Sequence, residues 1–162
     1  MEERWHRHLG VYGICRRDRD LLVIHKNRGP YRNRYDLPGG TVEPHESLAD
    51  ALYREFQEET GCNIEIIQNL GVRDFVVPHK LENRGTSHIH HVAIFYEVKC
   101  LSGKRTDRSV AEDNDSIGAE WINIVELTPE NSSPLVMQAI AWINGDQSDI
   151  QVKRLDNWIV KA

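Results

Sequence analysis

The 162-residue chain has no long apolar run, no excess of basic residues and no even set of cysteines. Nothing in it approaches the roughly twenty consecutive apolar residues of a membrane-spanning helix, so no such helix is expected. The opening Met1-Glu2-Glu3-Arg4-Trp5-His6-Arg7-His8 lacks the apolar core of a signal peptide. The formal net charge of −5 disfavours a sequence-independent nucleic-acid binder, which must neutralise many phosphates. Small phosphorylated ligands stay compatible with that charge, because a bound metal can supply the missing positive partner. Cys15, Cys62 and Cys100 are odd in number, widely spaced and set among apolar residues. They read as reduced core thiols of a cytoplasmic protein, not as a disulfide frame or a zinc site. No repeat, low-complexity segment or linker interrupts the chain, and its length suits a single domain over 1–162 with a full core.

Residues 40–62 carry the strongest chemical signal. Ser47 is placed as a helix N-cap, with Asp50 three residues later as the return half of a capping box. Pro44 stiffens the entry, and Gly61 stands where a left-handed residue ends a helix. Between these marks Leu48, Leu52 and Phe56 recur every four residues and form one apolar stripe beside Ala49. Glu55, Glu58 and Glu59 line a neighbouring face on adjoining turns. Three acids at the negative end of a helix dipole cost stability unless a cation sits among them. Mg²⁺ fits that need, since it takes oxygen ligands and bridges carboxylates to phosphates. Arg54 is within helical reach of Asp50 and Glu58 and offsets part of the charge. Leu37-Pro38-Gly39-Gly40 comes just before, and paired glycines permit a tight loop whose carbonyls can join the carboxylates. A generic Glu-rich helix would be a solvated face; the glycine loop beside this one is what favours chemistry.

The segment resembles the Nudix box, the signature of the Nudix hydrolases. Its pattern is Gly, five residues, Glu, seven residues, Arg-Glu, an aliphatic, any residue, Glu-Glu, any residue, Gly and an aliphatic. Gly40, Glu46, Arg54, Glu55, Glu58, Glu59 and Gly61 fall in register, while Phe56 and Cys62 replace the two aliphatics and remain apolar. The resemblance implies an α/β fold: an α/β/α sandwich around a mixed sheet, with the box as loop–helix–loop. It implies a Mg²⁺- or Mn²⁺-dependent pyrophosphohydrolase acting on a nucleoside diphosphate linked to another group. On that basis Glu55 and Glu59 would be the principal metal ligands, with Glu58 as a further ligand or as the base. The Gly40 carbonyl would complete the shell, and Arg54 would position the acids through Glu46 and Glu58. The general base would be Glu58 or an acid of the loop Ala111-Glu112-Asp113-Asn114-Asp115, where Asp115 precedes Trp121 by six residues. The bland alternative for that loop is a solvated turn rich in Asx residues.

The other segments are read from their periodicity. Strands are expected at 9–16 and Leu21 to His25, joined by the polar turn Arg17-Asp18-Arg19-Asp20. A basic loop follows, Lys26 to Arg34, with Arg28, Arg32 and Arg34 as candidates to reach a substrate phosphate and Tyr35 at its exit. Further strands are expected at 62–68 and 71–77, separated by Asn69-Leu70-Gly71, then at 88–98 and at Glu120 to Ile124. His79 to Ser87 reads as a polar loop and Leu101 to Arg108 as a surface hairpin loop. His88 and His90 would face one side of their strand and His91 the other. No cysteine or carboxylate completes a tetrahedral zinc set near them. A second helix is expected from Ser133 to Asn144 with Pro134 in its first turn. The apolar tail from Gln151 to Ala162 is expected to dock, on the body or on a second copy, so a homodimer is compatible with the sequence. Two other functions are weighed: a non-catalytic Nudix domain that binds a nucleotide or a protein partner, and an isoprenoid diphosphate isomerase. The first usually loses a box glutamate, and none is lost here. The second usually carries an upstream site cysteine, whereas Cys15 falls in a core strand.

Overall fold

The computed structural model describes residues 4–79, 88–102, 116–146 and 153–162. Its centre is β1 (Trp5–Arg17), whose later residues are buried on both faces. Successive side chains of a strand point to opposite sides, so such a strand needs a layer above and below. Val11 and Cys15 pack with Ala51, Leu52 and Phe56 of helix α1 (Leu48–Thr60). Tyr12 and Ile14 pack instead with Leu135, Val136 and Ala139 of helix α2 (Pro134–Ile143). The result is the α/β/α sandwich expected from the box.

The sheet is mixed. β1 turns through Asp18, which takes a left-handed φ of 53°, into β2 (Asp20–Lys26). The two strands pair only at that end, through Arg16–Leu21 and Arg17–Asp20. Elsewhere β2 pairs with β3 (Tyr35–Asp36) and with β7 (Ser116–Asn123). The first part of β1 runs parallel to β6 (His88–Ser102) and antiparallel to the short β4 (Gly39–Thr41). β5 (Asn63–Pro78) lines the far side of β6, and β8 (Lys153–Arg154) adds parallel to β5. The sheet therefore splays where β1 leaves β2, and the loop between β3 and β4 sits at that split.

Two departures from the sequence expectation have physical causes. The Asn69-Leu70-Gly71 signal does not divide two strands but is absorbed in β5 as a bulge, because β6 pairs on both sides of it. Asn69 Oδ1 accepts from the Gly71 N–H at 2.7 Å and holds the kink locally. Strands β1, β6 and β7 also run longer than periodicity indicated, since their ends are paired without being apolar. The hairpin loop expected at Leu101 to Arg108 begins as the last residues of β6, and beyond Ser102 it lies outside the described residues, as does most of the loop expected at His79 to Ser87. Among the described residues no helix is long and apolar enough to cross a membrane.

The packing of α1 on β1 leaves no space at Gly13, where a Cβ would stand 2.4 Å from the Phe56 ring. Gly13→Ala should therefore lower the unfolding free energy by about 1–3 kcal/mol. Phe56→Leu in the same chain should recover part of that loss, a non-additivity read from denaturant melts of the two single variants and the double variant. Strictly additive losses would show that the two residues do not contact.

Candidate active site

The box folds as loop then helix. Ser47 caps α1, its Oγ accepting from the Asp50 N–H at 3.1 Å, a contact of the kind worth about 1 kcal/mol. Gly61 ends the helix with φ 68° and donates its N–H to the Gln57 carbonyl. The preceding loop is pressed on β1 through the pairs Tyr12–Gly39, Val11–Gly40 and Gly10–Thr41. At Gly39 φ is 146°, and a Cβ would lie 2.1 Å from the Val11 carbonyl oxygen, so only glycine fits. A Cβ on Gly40 would meet Glu55 Oε1 at 2.7 Å. The missing side chain is what lets that carboxylate approach the loop backbone.

Two of the three helix acids stand together at this loop. Glu59 is 5% exposed, and its Oε1 accepts the Gly39 N–H at 2.8 Å. Glu55 is mostly covered and faces Gly40. Burial pushes both carboxyl pKa values up; Arg54 and Lys26 oppose the rise at Glu55 while Glu58 adds to it, and at Glu59 Lys26 opposes the rise while Glu55 adds to it. Glu58 is half exposed and accepts from Arg54 Nη1 at 3.3 Å. Among the described residues, no three His, Cys, Asp or Glu side chains converge as a ready-made cage. Glu55, Glu59 and the adjoining loop carbonyls are oxygen donors of the kind a hard divalent cation takes.

Arg54 organises the acids. Its Nε donates to Glu46 Oε2 at 2.7 Å and its Nη2 to Glu46 Oε1 at 2.8 Å, a bidentate pair. Nη1 donates to Glu55 Oε1 at 2.9 Å, and Nη2 also reaches the Thr41 carbonyl at 3.0 Å. One guanidinium thus joins the entry loop, β4 and two turns of α1.

The basic loop divides. Arg28 and Arg32 are exposed, whereas Arg34 is only 8% exposed and stacks on Trp158 with its guanidinium carbon 4.0 Å from the ring centroid. Tyr35 is partly buried and meets His25 edge-on at 4.6 Å. Asp115 lies outside the described residues.

Several buried polar groups near the site carry no sequence motif. Asp36 is 1% exposed, and its Oδ1 accepts from the Leu37 N–H at 2.9 Å and the Ser133 hydroxyl at 2.6 Å. Ser133 also caps α2, so this pair ties the box approach to the second helix. Burial raises the Asp36 pKa, and Lys26 counters it. His91 is held between the Tyr12 and Tyr31 hydroxyls at 2.8 and 2.7 Å. Burial, then the charges of His8, Lys26 and His90, drive its pKa well below the ordinary value. A neutral ring donates from one nitrogen and accepts at the other, so one tyrosine accepts and the other donates. His90 faces the other way and meets Asp74 at 2.7 Å, while His88 stacks on Trp5. The opposed directions of His90 and His91 follow strand alternation. The alternation of the 88–98 strand set His91 apart from His88 and His90, whereas nothing in the sequence singled out Asp36.

The comparisons agree with this architecture. A NUDIX domain model matches residues 4–143. An ADP-ribose pyrophosphatase of Methanocaldococcus jannaschii is 37% identical over 142 residues, covering 86% of this chain and 77% of the relative. The nucleoside triphosphatase NudI of an Enterobacter species is 28% identical and covers 73% of this chain and 80% of its own. A NUDIX hydrolase from Nitrosomonas europaea superposes with a TM-score of 0.67 at 25% identity, covering 87% of this chain and 91% of that one. The chain belongs to the Nudix family of hydrolases.

The Arg54 pair holds the Glu46 carboxyl down at about 2, against an ordinary 4.5, chiefly through their hydrogen bonds. A depressed acid stabilises the fold above its unfolded pKa, and that contribution fades as pH falls through the folded value. NMR titration of the Glu46 side chain should find its midpoint near pH 2. In Arg54→Ala the midpoint should move up toward 4.5, and an unmoved midpoint would refute the pairing.

Proposed function

We propose that this chain is a Mg²⁺- or Mn²⁺-dependent pyrophosphohydrolase that cleaves the diphosphate linkage of a nucleoside diphosphate derivative by attack of water. The carrying observation is the pair Glu55 and Glu59, set against the Gly39–Gly40 loop and held by Arg54 and the Gly39 N–H. Glu55, Glu59 and the Gly40 carbonyl would hold the cation, with Glu58 at the open edge. The bound cation would neutralise the diphosphate and lower the pKa of a coordinated water. The protein supplies the remainder. Arg54 fixes Glu55, and through Glu46 it fixes the loop that carries Gly40. Glu58 or Asp115 takes the proton of the attacking water. Arg28, Arg32 and Arg34, with Tyr35, bind the substrate phosphates and what they carry. Water adds across one P–O–P bridge, so two phosphate ends leave and one proton is released.

A small nucleotide-type compound is the substrate class. ADP-ribose is the first compound to test, because the 37% identical relative is an ADP-ribose pyrophosphatase. Nucleoside triphosphates come second, on the weaker likeness to a nucleoside triphosphatase. We read residues 1–162 as one domain acting in the cytoplasm. The non-catalytic reading gains nothing from the geometry, because Glu55 and Glu59 stand together at the glycine loop and Arg54 holds Glu55 and Glu46.

Purified protein should cleave ADP-ribose or a nucleoside triphosphate only with Mg²⁺ or Mn²⁺ present, as followed by chromatography of the products. Glu59→Gln should keep the fold by circular dichroism and lose activity by at least about 100-fold, the upper range for mere outer-shell partners of a metal. Unchanged turnover in that variant would sink the ligand role. No metal-dependent cleavage across a broad nucleotide panel would move the case to the binding-domain reading.

A further inference from the structure

The segment 153–162 lies beyond residue 143, where the match to the shared domain ends. It nevertheless grips the loop that precedes the box. After β8 the Leu155 N–H donates to the Val76 carbonyl at 3.0 Å, and the chain turns so that the Trp158 N–H bonds the Leu155 carbonyl at 2.8 Å. The turn places the Trp158 indole against the loop. Its Nε1–H donates to the Pro30 carbonyl at 2.8 Å, and its ring meets Tyr31 edge-on at 5.9 Å. On the other side Asn33 Nδ2 donates to the Ala162 carbonyl at 2.7 Å. Lys161 Nζ donates to the Glu130 carbonyl at 2.6 Å, which joins the tail to the turn before α2.

Arg34 is the residue this clamp leaves unexplained. It is almost wholly buried, and its Nε and Nη1 have no hydrogen-bond partner among the described residues. A buried cation without an anion is costly. The Trp158 ring face offsets only part of the cost, since a cation over an indole is attracted but makes no hydrogen bond. Burial accordingly lowers the guanidinium pKa. The loop is also anchored beside the acids. The Lys26 N–H bonds the Arg34 carbonyl at 3.0 Å, and the Lys26 charge acts on Asp36, Glu55 and Glu59. Arg34 stands five residues before Gly39, whose N–H holds Glu59.

We propose that the tail is part of the substrate site: Trp158 is a positioning residue that backs the Arg34 guanidinium and clamps the 26–34 loop, so that Arg34 meets a phosphate of the substrate. The proposal rests on the pyrophosphohydrolase reading for its substrate. The Trp158 ring fixes the plane of the guanidinium, and the bond to Pro30 fixes the height of the loop. The substrate phosphate supplies the anion that the folded chain withholds.

Two measurements on the full-length chain test it: steady-state hydrolysis of ADP-ribose with Mg²⁺, and calorimetric binding of inorganic pyrophosphate with Mg²⁺. Trp158→Ala should raise KM and weaken pyrophosphate binding by about ten- to a hundredfold, the range for one lost hydrogen bond to a charged group. Its kcat should change far less, the pattern of lost binding that is uniform across ground and transition states. Trp158→Phe keeps an aromatic face for Arg34 but loses the bond to Pro30, and should recover only part of the loss. Trp158→Ala combined with Arg34→Ala should be no worse than Arg34→Ala alone. A fall in melting temperature with KM and pyrophosphate affinity unchanged would overturn the proposal and make the tail a structural brace. A loss confined to kcat would overturn it as well. A parent that binds pyrophosphate through Trp158 but cleaves neither ADP-ribose nor any compound of a broad nucleotide panel would sink the hydrolase reading and keep the positioning role. A parent that cleaves, with Trp158→Ala indistinguishable from it, would do the reverse.

Discussion

The arrangement of the site depends on a single guanidinium. Arg54 makes a bidentate bond to Glu46 and further bonds to Glu55, Glu58 and the Thr41 carbonyl. Without it, three acids at the negative end of a helix would repel one another and splay into solvent. With it, Glu55 is held against Gly40 although burial favours its protonation. Only arginine has a planar fork that can serve a carboxylate in front and a backbone carbonyl beside it. The glycine loop is the complementary constraint. Gly39 and Gly40 carry no side chain because the β1 backbone occupies one side and the Glu55 carboxylate the other.

This dependence explains which parts of the molecule could be read from sequence. The box helix was legible from its caps, its apolar stripe and the spacing of its acids, because each of those signals acts within a few residues. Ser47, Gly61 and Phe56 do locally what their types dictate. The α2 limits were legible for the same reason, through Ser133 and Pro134. The short strands β3 and β4 were not, since two or three residues leave no period and exist only through their partners. The continuity of β5 was hidden because a local turn signal was outvoted by pairing with β6. Within the site, Arg54 and its acids were legible, but the burial of Arg34 was not. Nothing in Arg32-Asn33-Arg34 marks one arginine for the interior; Trp158, more than a hundred residues later, does that.

Buried polarity on the α2 side of the sheet has its own logic. Tyr12, Tyr31 and His91 satisfy one another, and His8 extends the chain to Tyr12 at 3.2 Å. Such a network is favourable only when every member is paired, because an unpaired polar group in that core would lose water without replacement. It also fixes the Tyr31 side of the 26–34 loop from below, as the tail fixes the Pro30 and Asn33 side from above. The loop is thereby held on two sides while exposing Arg28 and Arg32.

These features divide the labour between reaction and recognition. The box, β1 and β4 are bound together by short-range sterics at Gly39 and Gly40 and by one arginine, so little there can vary without displacing Glu55 from the glycine loop. The 26–34 loop is held instead by two remote supports: the His91 network on β6 and the tail, which lies outside the shared domain. A support outside the shared domain can change in sequence without disturbing the box. Binding free energy from the non-reacting part of a substrate is useful only if the contacting groups are already in place. On the proposed role of the 26–34 loop in substrate binding, a loop clamped on two sides meets that condition, and the fold would change what it binds while keeping its box.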